Sequence, residues 1–228
     1  MAVNRHVLVP RPETELLAER GWLFLNQLNP GLLLRSSEAT PVAAQPGNGG
    51  SATSNHQPMT ALDFGTGSGC VAIALAVKSP AAQVYAIEIL PDALALAREN
   101  AARHGVAERI QFLHGDGLAV LPRGIQFDLI VSNPPYLRTS EIDTLQPEVR
   151  DYEPRRALDG GADGLDYYRR LAGEAQPFLK PGARIMLEFG DGQATAITEI
   201  FQEQKWIVEA VQEDYNQRPR ILIARRAD

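Results

Sequence analysis

The sequence predicts an α/β fold: a mostly parallel seven-stranded sheet with helices on both faces and an antiparallel hairpin at its C-terminal end. Three observations predict it. From Met59 onward, short apolar runs alternate with longer stretches of helical periodicity. The short runs are apolar almost throughout, as in Phe127-Asp128-Leu129-Ile130-Val131-Ser132, which suits strands covered on both faces. The last two runs are joined by only a short turn, which suits antiparallel pairing.

The elements follow in order. Residues 1–33 read as an extended lead and a helix of the same domain, with Leu16, Leu17, Leu23, Phe24 and Leu28 at helical spacings and Thr14 as a candidate cap. Residues 34–59 are dominated by Ser, Thr, Ala, Gly, Pro, Asn and Gln. That composition buries too little apolar surface to offset its ordering entropy, so it reads as a flexible insertion, with a functional lid as the sharper alternative. The core then runs from residue 60 to 228. Its strands are expected at Ala61–Phe64, Gln83–Ile89, Ile110–His114, Phe127–Ser132, Arg184–Phe189, Trp206–Gln212 and Arg220–Ala224. Helices are expected at Val71–Lys78, Pro91–Gly105, Leu165–Leu179 and Thr195–Gln204.

Composition narrows the functional classes. A net charge of −6 argues against a free nucleic-acid binder, because phosphate neutralisation needs a surplus of Lys and Arg. No apolar run approaches the roughly 18 residues of a membrane span. The single cysteine, Cys70, can form no internal disulfide, which fits a reducing, cytoplasmic setting. His6, His56, His104 and His114 share no ligand spacing, so no metal site is expected. No secretory leader is visible before Val9, although the chain opens almost directly on a motif and its start is open to truncation.

Phe64-Gly65-Thr66-Gly67-Ser68-Gly69, preceded by Asp63, joins a strand to a helix. Glycines here let the backbone turn sharply and approach a ligand. The spacing departs from the dinucleotide fingerprint and fits a ligand without a pyrophosphate. Glu88, 21 residues beyond Gly67, ends the next strand where an acid can accept from both ribose hydroxyls. Asp116, in Gly115-Asp116-Gly117, stands where a carboxylate can accept from an adenine amino group, and Gly117 leaves room for the ring. Singly, Glu88 also reads as a solvated strand-end carboxylate and Asp116 as an ordinary turn residue. Together, at three strand C-termini, they converge on the crevice where open α/β sheets bind ligands.

After the fourth strand comes Asn133-Pro134-Pro135-Tyr136. Two prolines fix the backbone and remove two N–H donors, leaving carbonyls toward the pocket. The Asn133 side-chain oxygen and the Pro134 carbonyl can each accept one hydrogen from a planar –NH₂, turning its lone pair toward an electrophilic methyl. Asn133 thus borders both the cofactor and the substrate, and Tyr136 offers an aromatic wall. The pattern points to methyl transfer from S-adenosyl-L-methionine, by positioning and electrostatics. Arg11 either shapes the pocket mouth and contacts substrate or is purely structural.

These motifs together resemble the release factor glutamine methyltransferase family of class I methyltransferases, whose fold is Rossmann-like. The likeness rests on Val7-Leu8-Val9-Pro10-Arg11-Pro12-Glu13-Thr14-Glu15, Leu62–Gly69, Asn133–Tyr136, Glu153-Pro154, Ala157-Leu158-Asp159-Gly160-Gly161, Asp163-Gly164-Leu165, Leu187-Glu188 and Asp214–Arg220. The asparagine–proline motif is shared with DNA adenine and ribosomal RNA guanine methyltransferases. The Pro-Arg-Pro-Glu-Thr-Glu lead and the Leu-Asp-Gly-Gly segment separate the subfamily. The resemblance implies methylation of the glutamine amide in the Gly-Gly-Gln loop of a peptide chain release factor, with S-adenosyl-L-homocysteine as coproduct. It implies a protein partner and no direct nucleic-acid partner. Methylation of an exocyclic amine of DNA or RNA is the alternative, and a non-catalytic cofactor-binding subunit is a third reading. The sequence departs from the family in Glu88, where Asp is usual, in the long 34–59 insertion, and in containing no counterpart of the family's N-terminal helical domain. Nothing in it sets an oligomeric state.

Overall fold

In the computed structural model, residues 1–29 and 58–227 are described. The expected insertion at 34–59 therefore lies outside them, apart from its last two positions. The elements are α1 (Pro12–Leu28), β1 (Met59–Phe64), α2 (Cys70–Lys78), β2 (Ala82–Glu88), α3 (Pro91–Arg103), β3 (Ile110–His114) and β4 (Phe127–Ser132). Three one-turn helices follow, α4 (Thr139–Ile142), α5 (Pro147–Arg150) and α6 (Arg155–Leu158). The chain continues through α7 (Asp166–Glu174), β5 (Leu179–Glu188), α8 (Ala194–Glu203), β6 (Trp206–Glu213) and β7 (Pro219–Arg226).

The strands form one seven-stranded sheet in the order β3-β2-β1-β4-β5-β7-β6. β1 to β5 pair in parallel, and β7 lies antiparallel between β5 and β6. The strand order reverses between β1 and β4, so the loops leaving these two strands open the crevice at the sheet's carboxyl edge. One core layer holds α1 and α2, with Leu17, Leu25, Leu75 and Leu129 fully buried. The other holds α7 and α8, with Phe127, Ile130, Tyr168 and Phe201 fully buried. Burying each such side chain contributes about 1.5–3 kcal/mol relative to exposure.

Several expectations are corrected. Thr14 does not cap α1. Pro12, whose fixed φ suits a first helical turn, starts the helix three residues earlier with Arg11 at the N-cap, and Thr14 faces inward, 4% exposed. The helix expected over Leu165–Leu179 stops at Glu174, and a 3₁₀ turn occupies Gln176–Phe178. Pro177 offers no N–H to continue an α-helix. Leu179 instead begins β5 and pairs with Phe127, an irregularity restoring register so that Arg184 pairs with Leu129. The one-turn helices α4 to α6 are too short to leave a helical period in the sequence.

α1 lies close to the sheet at Gly21. A Cβ there would stand 2.9 Å from Leu75 Cδ2 and 3.3 Å from Leu129 Cδ2, so only glycine permits this approach without repacking. That closeness brings the first turn of α1 to the C-terminal ends of β4 and β5. Among the described residues no helix is long and apolar enough to cross a membrane.

Candidate active site

The turn after β1 is held from beneath. The buried Asp63 carboxylate accepts from Thr66 Oγ1 at 2.6 Å and from Ala72 N at 3.0 Å. Burial pushes its pKa up to about 6. Ser132 Oγ donates to Phe64 O at 2.7 Å, tying the end of β4 to that of β1. Gly65 and Gly67 adopt φ of +75° and +54°, and a Cβ on either would meet nothing within 4 Å. Their Cα atoms thus face open space, and the positive φ favours glycine. Phe64, Gly65, Thr66, Gly67 and Ser68 line one cleft, and Gly69 stands behind it against Ala97.

Glu88 is fixed by three backbone donors: Gly67 N on Oε2, and Ile89 N and Leu90 N on Oε1, each at 2.9 Å. A carboxylate offers about four lone-pair sites, so acceptor capacity remains toward the cleft. Asp116 and Gly117 line the same cleft. The Asp116 carboxylate is already engaged, with Arg170 Nη1 at 2.5 Å from Oδ1, and the Arg170 guanidinium covers the place a Gly117 Cβ would take.

Asn133, Pro134 and Pro135 form the opposite wall. Asn133 Nδ2 donates to Thr14 Oγ1 at 2.9 Å, whereas its Oδ1 is buried and has no hydrogen-bond partner among the described residues. Tyr136 stands behind this wall, its hydroxyl pushed up to about 12 by burial. Its ring packs over Gly190, where a Cβ would stand 2.8 Å from Tyr136 Cδ2. Gln193 Nε2 donates to Tyr136 O at 2.9 Å and its Oε1 accepts from Gly190 N. The glycine-rich segment after α6 completes the support: Leu137 N donates to Leu158 O and Gly160 N to Leu137 O. A Cβ on Gly160 would stand 2.7 Å from Pro135 O, so the two loops touch backbone to backbone.

Arg11 does not join the cleft. Its Nη2 donates to Glu153 Oε1 at 2.7 Å and fastens the lead to the loop between α5 and α6. Glu188, at the end of β5, is 2% exposed, and its Oε2 has no hydrogen-bond partner among the described residues. Thr14 and Asn133 hydrogen-bond to this carboxyl, yet burial outweighs them and pushes its pKa up to about 7. Asn100 on α3 is fully buried and holds both Ala2 and Ser68. Sequence reasoning missed Thr14, Glu188, Asn100 and Arg170 as parts of the site. The available signals were an acid ending an apolar strand, for Glu188, and an Asn on the apolar face of α3. Among the described residues no group of three His, Cys, Asp or Glu could hold a metal ion.

Comparison with known proteins places this arrangement. Residues 52–148 match the family model described as methyltransferase small domain. A release factor glutamine methyltransferase of Geobacter sulfurreducens is 43% identical over 87% of this chain and 58% of its own length. One from Cereibacter sphaeroides is 39% identical over 98% of this chain and 68% of its own length. The chain spans less than two thirds of several relatives it matches. A solved protein-(glutamine-N5) methyltransferase (release factor-specific) from Alicyclobacillus acidocaldarius superposes with a TM-score of 0.52 at 25% identity, covering 100% of both chains. Sequence likeness across nearly the whole chain and a shared sheet architecture agree: the chain belongs to the release factor glutamine methyltransferase family.

Proposed function

We propose that this protein methylates the side-chain amide nitrogen of the glutamine in the Gly-Gly-Gln motif of a peptide chain release factor, in the cytoplasm, using S-adenosyl-L-methionine. The observation that carries the reading is the Asn133 amide: nitrogen anchored on Thr14, oxygen buried and unpartnered at the cleft wall. An unpaired buried acceptor costs about 1–3 kcal/mol, and a substrate N–H would relieve that cost.

The residues present fit the cofactor. Gly65 and Gly67 let the backbone approach it, Glu88 keeps about one lone-pair site for a ribose hydroxyl beside its backbone donors, and Asp116 with Gly117 borders the adenine end. When bound, S-adenosyl-L-methionine supplies an electrophilic sulfonium methyl and leaves as S-adenosyl-L-homocysteine. The chain's own part is orientation. Asn133 Oδ1 and the Pro134 carbonyl each accept one hydrogen of the glutamine –NH₂, which draws the nitrogen lone pair out of amide conjugation. Pro135 lines the cleft beside the planar group, and Tyr136 braces that wall from behind. No strong base is needed, because the nitrogen loses its proton after methylation. This is catalysis by positioning and preorganised acceptors.

The test is transfer of labelled methyl from S-adenosyl-L-methionine to a release factor, with a Gln→Ala Gly-Gly-Gln variant as control. Label on the wild-type factor alone is the expected result. Label on DNA or RNA instead would establish the exocyclic-amine alternative. Asn133→Ala should bind cofactor normally and lose on the order of 10²-fold in kcat, the scale seen on removing one preorganised polar contact.

A further inference from the structure

Asn133 has two chemically opposite ends of nearly equal size, and only one orientation offers an acceptor to substrate. We propose that Thr14 and Glu188 form a directional hydrogen-bond chain that holds the Asn133 amide with its oxygen toward the acceptor nitrogen. The inference rests on the role given to Asn133 above.

Three elements bring the chain together. Ser132 pairs with Leu187 across β4 and β5, so Asn133, the first residue past β4, comes out beside Glu188, the last residue of β5. Thr14 reaches them from the first turn of α1. Thr14 and Glu188 are 4% and 2% exposed, so water does not substitute for either partner. An ionised carboxylate only accepts. Glu188 therefore accepts both from the Thr14 hydroxyl and from the Asn133 amide nitrogen, which leaves Thr14 Oγ1 to accept from Asn133 Nδ2, as observed at 2.9 Å. Asn133 Oδ1 is left buried and, among the described residues, without a partner. Thr14 and Glu188 are positioning residues, since they act on substrate only through Asn133.

The chain carries its own pH dependence. A protonated Glu188 donates to Thr14 Oγ1, frees the threonine proton to point at Asn133, and so favours the reversed amide. Burial holds this carboxyl at about 7. The groups acting on it from its surroundings are Glu13 on α1 and Arg220 on β7, with Tyr136 after β4, Tyr168 on α7 and Cys70 on α2 also coupled to it. Activity should therefore fall as pH drops through about 7.

The experiment compares wild type, Thr14→Val, Thr14→Ser and Glu188→Gln, each first checked for folding by thermal unfolding. Thr14→Val keeps the shape and lacks the hydroxyl. It should lose at least ~10-fold in kcat with KM for the release factor little changed, and Thr14→Ser should recover most of that loss. Glu188→Gln should remove the acid limb near pH 7 from the kcat/KM profile. In parallel, the Asn133 side-chain amide is followed by nitrogen-15 NMR, its signals identified by their loss in Asn133→Ala. Their hydrogen exchange should be at least ~5-fold faster in Thr14→Val, the scale of one lost hydrogen bond. Thr14→Val turnover within twofold of wild type, Thr14→Ser as impaired as Thr14→Val, or unchanged amide exchange would each overturn the inference. Should wild type transfer no methyl to release factor, the proposed function fails and the amide exchange alone decides the orientation.

Discussion

Asn100→Ala is expected to weaken both the fold and the cofactor site, in proportions that its hydrogen bonds set. The side chain lies fully buried on α3. Its Nδ2 donates to Ala2 O and Ser68 O, and its Oδ1 accepts from Ala2 N, all at 2.9 Å. The Ser68 bond is buried and ties α3 to the glycine-rich turn, so its loss leaves a buried carbonyl unpaired, at a cost of about 1–3 kcal/mol. For a chain of this length about 2–4 °C of Tm corresponds to each kcal/mol, so Tm should fall by roughly 2–12 °C. The two bonds to Ala2 hold the lead, whose His6, Val7, Leu8 and Pro10 line the cleft. Losing about 2 kcal/mol there favours detachment by about 30-fold. Calorimetric unfolding and titration with S-adenosyl-L-homocysteine measure the two effects. A Kd raised between about 5- and 30-fold is expected. An Asn100→Ala protein with wild-type Tm and wild-type Kd would refute the reasoning, because three hydrogen bonds of a fully buried side chain would then contribute nothing.

Three further outcomes follow from the same geometry. Gly190→Ala places a methyl 2.8 Å from Tyr136 Cδ2, so the ring must shift; kcat for release factor methylation should fall by about 10-fold or more while cofactor affinity holds. Arg11→Leu removes the partner of Glu153, whose burial already raises its pKa, and should lower Tm by several degrees at pH 8, with a smaller loss at pH 5 where the orphaned carboxyl can protonate. For Asp63 the folded pKa of about 6 lies above the ordinary 3.8, so the folded state binds the proton more tightly. Its contribution to stability is present below about 4 and is lost as pH rises through about 6. Asp63→Asn should flatten the dependence of Tm on pH in that window, as differential scanning at several pH values would show.

Much of this architecture is legible in the sequence because parallel strands buried on both faces carry almost unbroken apolar runs. Phe127–Ser132 is read to the residue for that reason, and the edge strand Ile110–His114 is read to the residue from its shorter apolar run. The Gly65–Gly69 turn and Asn133–Tyr136 are legible because positive φ and paired prolines narrow the residue choice. What escapes is tertiary. Thr14 carries a good capping residue's signature, yet Pro12 takes over the helix start and frees the hydroxyl for a partner 119 residues away. Arg11 and Glu153 are 142 positions apart, and nothing local in either announces the other. Asp116 reads as a free carboxylate until α7 folds Arg170 onto it. Local chemistry marks the loops of the site, and only packing shows which side chains brace them.

The placement of β7 between β5 and β6 has a consequence for how the chain is made. Among the described residues β6 has no other neighbour in the sheet, so it emerges from the ribosome with its backbone donors and acceptors unpaired, and β5 waits with one open edge. Both flanks close only when residues 219–226 are synthesised and slide between them. Until then the nascent protein exposes two strand edges beside an apolar face, the species most prone to pair with another chain. A stop codon before Pro219 would therefore yield an aggregating product rather than a trimmed enzyme.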